Sequence, residues 1–212
     1  MPHHKNVFFA VLSRMQNVQR WSKSNPTRSE NVAEHSLQVA MFAHCLGLLR
    51  NQVFTHLPKI NEHLLATIAL YHDAPEVLTE DVNALIKYSD PRMLALCKEM
   101  ESLSNNMLIN SLPKELKPHY QELFEHKNEE YKFVKAADLL SAYAKSISEL
   151  RANNTEFSGS QKKIEKALKP FREELPEVDY FMEKLLPAFW LTIDDLIDSA
   201  FGESSSQVLL FE

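Results

Sequence analysis

The chain has 212 residues, a 44% apolar share and a formal net charge of -6 at neutral pH. That length suits a single domain with one sizeable core, and the acidic balance offers no basic surface for duplex nucleic acid. Three glycines are too few for a turn-rich β-sandwich or a glycine-rich phosphate loop, and the two cysteines, Cys45 and Cys97, form no Cys-x-x-Cys pair, which argues against a disulfide framework and a thiolate zinc site and fits a reducing cytoplasm.

The start, "MPHHKNVFFAVLSRM", has a cationic head, but its apolar run from Val7 to Leu12 is too short for a secretory signal, and no apolar run elsewhere approaches a membrane span. Val7, Phe8, Val11, Leu12 and Met15 recur at helical spacing and predict a first helix, which "RWSKSNPTRSEN" with Pro26 interrupts as a loop. Asn31 with Glu34 three residues on predicts a capping box, so a second helix starts just before His35, with a buried face drawn from Leu37, Val39, Ala40, Phe42, Ala43 and Leu46. "NEHLLATIALYHDAPE" predicts a third helix that Pro75 ends or kinks just beyond Asp73. Further helices are predicted from Arg92 to Ser111, Glu115 to Glu125, Glu129 to Asn153 and Ser160 to Phe171, with two more between Asp179 and Ser199 divided near Pro187. The sum is an all-α, single-domain bundle over residues 1–202, followed by a flexible tail at 203–212, although the apolar "VLLFE" also leaves room for a docking turn or strand.

Four polar residues interrupt apolar helical faces: His35, His72, Asp73 and Asp138. Asp138 sits amid Phe133, Val134, Ala137 and Leu140, and an ionised carboxylate in such surroundings needs a compensating charge. Any one of the four taken alone is more simply a hydrogen-bonded core residue or a helix cap. Together, two imidazoles and two carboxylates without a thiolate suit manganese, cobalt, iron or zinc, with positions left open for water and therefore for catalysis. The other histidines, His3, His4, His44, His56, His63, His119 and His126, read as surface or core residues.

The order H…HD…D resembles the HD-domain metallophosphohydrolases. "QRW" at 19–21, "RSENVAEHSLQVA" at 28–40, "YHDAPEVLTED" from Tyr71, "VKAADLLSAYAK" from Val134 and "VDYFMEKLLPAFWLTIDDL" from Val178 are similar to stretches of the bacterial 5'-deoxynucleotidases of that superfamily. The resemblance implies an HD-domain helical bundle that hydrolyses deoxyribonucleoside 5'-monophosphates, using one divalent ion such as cobalt or manganese. It further implies that His35, His72, Asp73 and Asp138 hold the ion, Glu76 is the catalytic carboxylate, Arg20 orients the phosphate, Trp21 and Asp81 touch the nucleoside, and the chain forms a homodimer with no membrane or nucleic-acid partner. Glu76 follows Asp73 by three residues and His72 by four, a spacing that suits this role. The chain departs from the family pattern at Pro75, at Glu80 where glycine is usual, at Val82-Asn83-Ala84 in place of a proline-rich segment, and in its tail beyond Phe201. Two rivals stay open: another HD hydrolase acting on a phosphodiester or nucleoside triphosphate, and a catalytically silent helical regulatory module that keeps only the metal shell. Retention of Glu76 and Arg20 speaks against the second.

Overall fold

In the computed structural model, which describes residues 6–124 and 129–202, the chain enters through α1 (Phe8–Leu12) and tightens into a 3-10 turn over Ser13–Asn17. The Ser13 hydroxyl donates to the Ala10 carbonyl at 2.8 Å, a local bond that competes with the helical ladder and shortens the predicted first helix. The stretch expected to be plain loop then contains a small clasp. Strand β1 (Gln19–Arg20) pairs antiparallel with β2 (Glu30–Asn31), setting Gln19 opposite Asn31 and Arg20 opposite Glu30.

Helix α2 (Val32–Gln52) opens with the expected capping box: Asn31 accepts from the Glu34 amide at 3.0 Å, and the Glu34 carboxylate accepts from the Asn31 amide at 3.3 Å. Its inward face carries Val32, His35, Ser36, Val39, Ala40, Ala43 and Leu46, whereas Leu37, expected on that face, lies outside it at 56% exposed. Length and composition alone would let α2 cross a membrane, which the reading of the sequence did not anticipate, but the helix is a core element lined by buried His35 and Arg50. Helix α3 (Glu62–Tyr71) packs closely against α2 at Gly47, where a Cβ would meet the Glu62 Cβ at 2.7 Å. Beyond α3, which ends at Tyr71 and so two residues short of the expected break beyond Asp73, His72 and Asp73 occupy a turn, and Pro75 caps the single turn α4 (Glu76–Thr79).

The chain continues through α5 (Ala84–Lys87), α6 (Pro91–Asn110), α7 (Lys117–Phe124), α8 (Glu129–Arg151) and α9 (Phe157–Glu174). It then runs through α10 (Pro176–Tyr180), a π turn at Phe181–Leu185, a 3-10 turn at Leu186–Trp190 and α11 (Ile193–Phe201). The predicted division near Pro187 is thus a change of helix type, with the clean break at Leu191 and Thr192, and α9 extends beyond its expected ends. The expected tail at 203–212 and Glu125 lie outside the described residues.

Two apolar clusters frame the site. The larger joins Val39, Leu46, Leu65, Ala69, Phe133 and Leu140 across α2, α3 and α8; the smaller joins Phe8, Met15, Val18, Ala74, Leu108 and Phe124. Ala69 belongs to the first and Ala74 to the second, so the His72–Asp73 turn is wedged between two packed bodies, each large side chain contributing roughly 1.5–3 kcal/mol on burial. The β1–β2 loop is fastened separately by Glu149, which is 1% exposed and accepts from the Thr27 amide at 2.7 Å, the Thr27 hydroxyl at 2.8 Å, Lys145 Nζ at 2.6 Å and Asn154 Nδ2 at 3.0 Å.

Candidate active site

Residues from α2, the α3–α4 turn and α8 converge on one point. Donor atoms of His35, His72 and Asp73 all lie within 4.8 Å of one another, and Asp138 joins them with Oδ1 3.1 Å from His35 Nε2. The tautomers follow from the neighbours. Ser141 Oγ donates to Gln38 Oε1 at 2.7 Å and therefore accepts from His35 Nδ1–H at 3.1 Å, which leaves the Nε2 lone pair facing Asp138 and, at 3.6 Å, Asp73. On His72, Nδ1–H donates to the Ala69 carbonyl at 2.6 Å. Its buried Nε2 comes 3.2 Å from Asp73 Oδ2 without hydrogen-bond geometry and so has no hydrogen-bond partner among the described residues.

Two bare imidazole lone pairs aimed at two carboxylates are repulsive without a cation between them, and the set of two nitrogens and two oxygens suits a borderline divalent ion. The electrostatics agree. Burial and the Arg20 charge lower the His35 pKa. Burial also opposes a charge on His72, but Asp73 and Asp138 outweigh it and raise that pKa. Burial would raise Asp73 and Asp138 as well, yet His72 for the first, and Lys135 and His35 for the second, hold both below the usual carboxylate range. Asp73 and Asp138 are thus held in their ionised form and draw positive charge toward them.

Arg20 completes one side. Its Nε donates to Glu30 Oε1 at 3.0 Å and one terminal nitrogen donates to Asp73 Oδ2 at 3.2 Å, so the β1–β2 pairing aims the guanidinium at the ligand set. Glu76 opens α4 beside Asp73; burial, then the Asp73 and Asp81 charges, push its carboxyl up to about 10, and its buried Oε2 has no partner. Asp81 is also raised, by burial first, with Arg20 acting in the opposite sense. Trp21 has φ 59°, packs tilted against Phe157 with centroids 5.2 Å apart and planes at 50°, and keeps a buried Nε1 without a partner among the described residues.

A cleft of about 310 Å³ opens onto this centre, and of the expected residues His72, Asp73 and Glu76 line it, together with Thr79, Tyr131 and Lys135. His35 lines a different hollow of about 350 Å³ with Glu30, Arg28 and Gln38. Arg20, Trp21, Asp81 and Asp138 line neither.

The family described as 5'-deoxynucleotidase YfbR-like matches residues 7–189. The chain belongs to this family. A 5'-deoxynucleotidase of Erwinia tasmaniensis is 42% identical over 192 residues, covering 89% of this chain and 95% of the relative. Among solved structures, an HD-domain phosphohydrolase of Listeria innocua is similar with a TM-score of 0.75 at 22% identity, covering 94% of this chain and 97% of that one. The cyanophage S-2L HD phosphohydrolase DatZ, bound to dA and one catalytic zinc ion, has a TM-score of 0.60 at 17% identity over 84% of this chain and 95% of that one. These two likenesses show the HD-domain fold, in keeping with the all-α expectation.

Within this 5'-deoxynucleotidase-family chain, the reading of the sequence passed over three residues that the site uses. Glu30 holds Arg20, Ser141 sets the His35 tautomer, and Lys135 donates to Asp138 Oδ2 at 2.9 Å. All three lie inside the quoted motifs, and the i, i+3 spacing of Lys135 and Asp138 and of Asp138 and Ser141 on one helix was the available signal.

Proposed function

We propose that this chain is a metal-dependent 5'-deoxynucleotidase that hydrolyses deoxyribonucleoside 5'-monophosphates to deoxynucleosides and phosphate. The observation that carries the reading is the convergence of two imidazole nitrogens and two carboxylates beside Glu76, whose buried Oε2 has no hydrogen-bond partner among the described residues. Family membership and relatives named for this activity support it.

In this reading His35, His72, Asp73 and Asp138 hold one divalent ion, with cobalt, manganese and zinc as the candidates. Such an ion, when bound, supplies Lewis acidity that shields phosphoryl charge and makes water nucleophilic near neutral pH. The remaining work belongs to side chains. Glu76 exchanges a proton with the attacking water or the leaving 5'-oxygen, and Arg20, held from behind by Glu30, orients the phosphate through its free terminal amine. Trp21 and Asp81 contact the nucleoside, the indole walling the place where a ribose would carry its 2'-hydroxyl. A homodimer fits the apolar stripe that α6 leaves exposed at Leu96, Met100, Leu103 and Met107, spaced at i, i+4, i+7 and i+11 on one helix face.

The test is phosphate release from a panel of deoxy- and ribonucleoside monophosphates, a phosphodiester and a nucleoside triphosphate, before and after chelation and with each metal restored. The expected outcome is chelator-sensitive release confined to the monophosphates, faster with the deoxy sugar. Turnover centred on the diester or triphosphate would favour the neighbouring HD hydrolase classes, and no turnover with any metal would favour a silent module.

A further inference from the structure

We propose that Lys135 is a direct phosphate contact of this site, a second substrate-binding cation in addition to Arg20. The inference rests on the phosphomonoesterase reading above and goes beyond the residues that reading assigns.

Among the described residues, two cationic side chains touch the proposed metal ligands, Arg20 on Asp73 and Lys135 on Asp138. Arg20 is already committed, because its Nε is held by Glu30 at 3.0 Å and one terminal nitrogen by Asp73 at 3.2 Å. Its charge is matched by those two carboxylates, and one terminal amine remains for a dianionic phosphate. Lys135 is less committed. Asp138 takes one of three ammonium donors at 2.9 Å, and the side chain keeps 38% of its surface exposed. It lines the cleft shared with His72, Asp73 and Glu76, and it lies close enough to His72 to oppose a charge there. Arg20 does not line that cleft.

Rigidity supports the same role. Lys135 stands one helical turn before Asp138 on α8, flanked by fully buried Val134, Ala136 and Ala137, so its backbone cannot drift from the ligand it accompanies. A cation anchored there faces whatever anion enters the cleft. Asp138 steadies the ammonium through one donor while the others remain free for phosphoryl oxygens.

The experiment uses the full-length, metal-loaded protein with Lys135→Met and Lys135→Arg. Calorimetry measures binding of inorganic phosphate and of a deoxynucleoside that lacks phosphate, metal content is read by mass spectrometry, and KM and kcat are measured on a deoxyribonucleoside monophosphate. Loss of a charge-assisted hydrogen bond should weaken phosphate binding in Lys135→Met by roughly 10-fold to 100-fold, with deoxynucleoside affinity and metal content unchanged. Lys135→Arg should recover most of the phosphate affinity. Undiminished phosphate binding in Lys135→Met overturns the proposal, and so does equal loss of metal and of both ligands, which would make Lys135 only a support for Asp138. Wild-type protein that hydrolyses no monophosphate would instead refute the enzymatic reading, and the phosphate-binding arm would still decide the role of Lys135.

Discussion

The two walls of the cleft are built differently. One comes from α8 and the end of α3, where His72 is buried, Ser141 and the Ala69 carbonyl fix the imidazole tautomers, and apolar neighbours fill the surroundings. The other runs from Thr79 through the single turn α5 into the first half of α6, where several large apolar residues face outward: Leu85 at 66% exposed, Tyr88 at 67% and Leu96 at 54%. It also holds Glu80 at φ 61° and ψ 167°, a conformation that side chains other than glycine rarely adopt. A cation site requires donors fixed to a few tenths of an ångström, so its wall tolerates little change. In the proposed reading the second wall meets sugar and base and works through shape, and there the chain departs from the family pattern at Glu80 and residues 82–84, whereas the departure at Pro75 lies beside the ligand turn.

The sharpest way to break the contrast is to remove a donor from the rigid wall. Asp138→Ala should lose the divalent ion and cut phosphate release by on the order of 10³-fold, because an incomplete shell forfeits both metal affinity and charge shielding. Metal content and turnover measured on the same preparation check it. Stoichiometric metal in an active Asp138→Ala protein would remove Asp138 from the shell.

A second change probes how selectivity divides between wall and loop. An apolar wall rejects an added hydroxyl by only on the order of 10². The preference for deoxy- over ribonucleotide in kcat/KM should therefore lie near that figure and fall to a few-fold in Trp21→Ala, mainly because the ribonucleotide improves. Equal slowing of both substrates would make Trp21, tilted against Phe157, a packing residue only and hand selectivity to Asp81 or residues 82–84.

How legible this was differs between the walls for physical reasons. Helix faces and caps repeat with a period that sequence displays, so α2 with its Asn31–Glu34 box, α6, α8 and a stop near Pro75 could be read in advance. That His35, His72, Asp73 and Asp138 would come together could be read as well, since polar residues stand out on apolar faces. The β1–β2 clasp could not, because two-residue strands carry no period and their pairing is fixed by distant residues. Glu149 was invisible for the same reason: its partners at Thr27 and Asn154 are set by tertiary packing, and in sequence it is one acid among many on a long helix.

Glu149 offers the third test, on the loop that carries Trp21. Burial alone would raise its pKa, but Lys145, Thr27 and Asn154 outweigh that and lower it from 4.5 to about 2. A depressed pKa in the folded state contributes stability that is fully present above about pH 4.5 and fades as the pH falls toward about 2, up to roughly 3 kcal/mol for a shift of this size. Denaturant unfolding of Glu149→Gln should show lower stability at neutral pH and a flatter dependence between those two values. An unchanged acid limb would mean that the tie between α8 and the β1–β2 loop is not governed by this carboxylate.

The smallest effect belongs to the strained wall. A side chain at φ 61° and ψ 167° costs on the order of 1–3 kcal/mol, and glycine removes that cost while adding roughly 0.5–1 kcal/mol of freedom to the unfolded chain. Glu80→Gly should therefore stabilise the fold by about 1 kcal/mol, a rise in Tm of roughly 2–4 °C for a chain of this size. The cause needs separating from charge, because Glu80 stands beside Asp81 and near Glu76 in an acid-rich stretch. Glu80→Ala removes the charge and keeps the Cβ, so it relieves repulsion without relieving the backbone. Thermal unfolding of both variants decides the matter: a rise in Glu80→Gly alone assigns the cost to backbone conformation, and an equal rise in both assigns it to crowded carboxylates. In the first case the departure from glycine here is a backbone strain carried between α4 and α5, outside the proposed metal ligands.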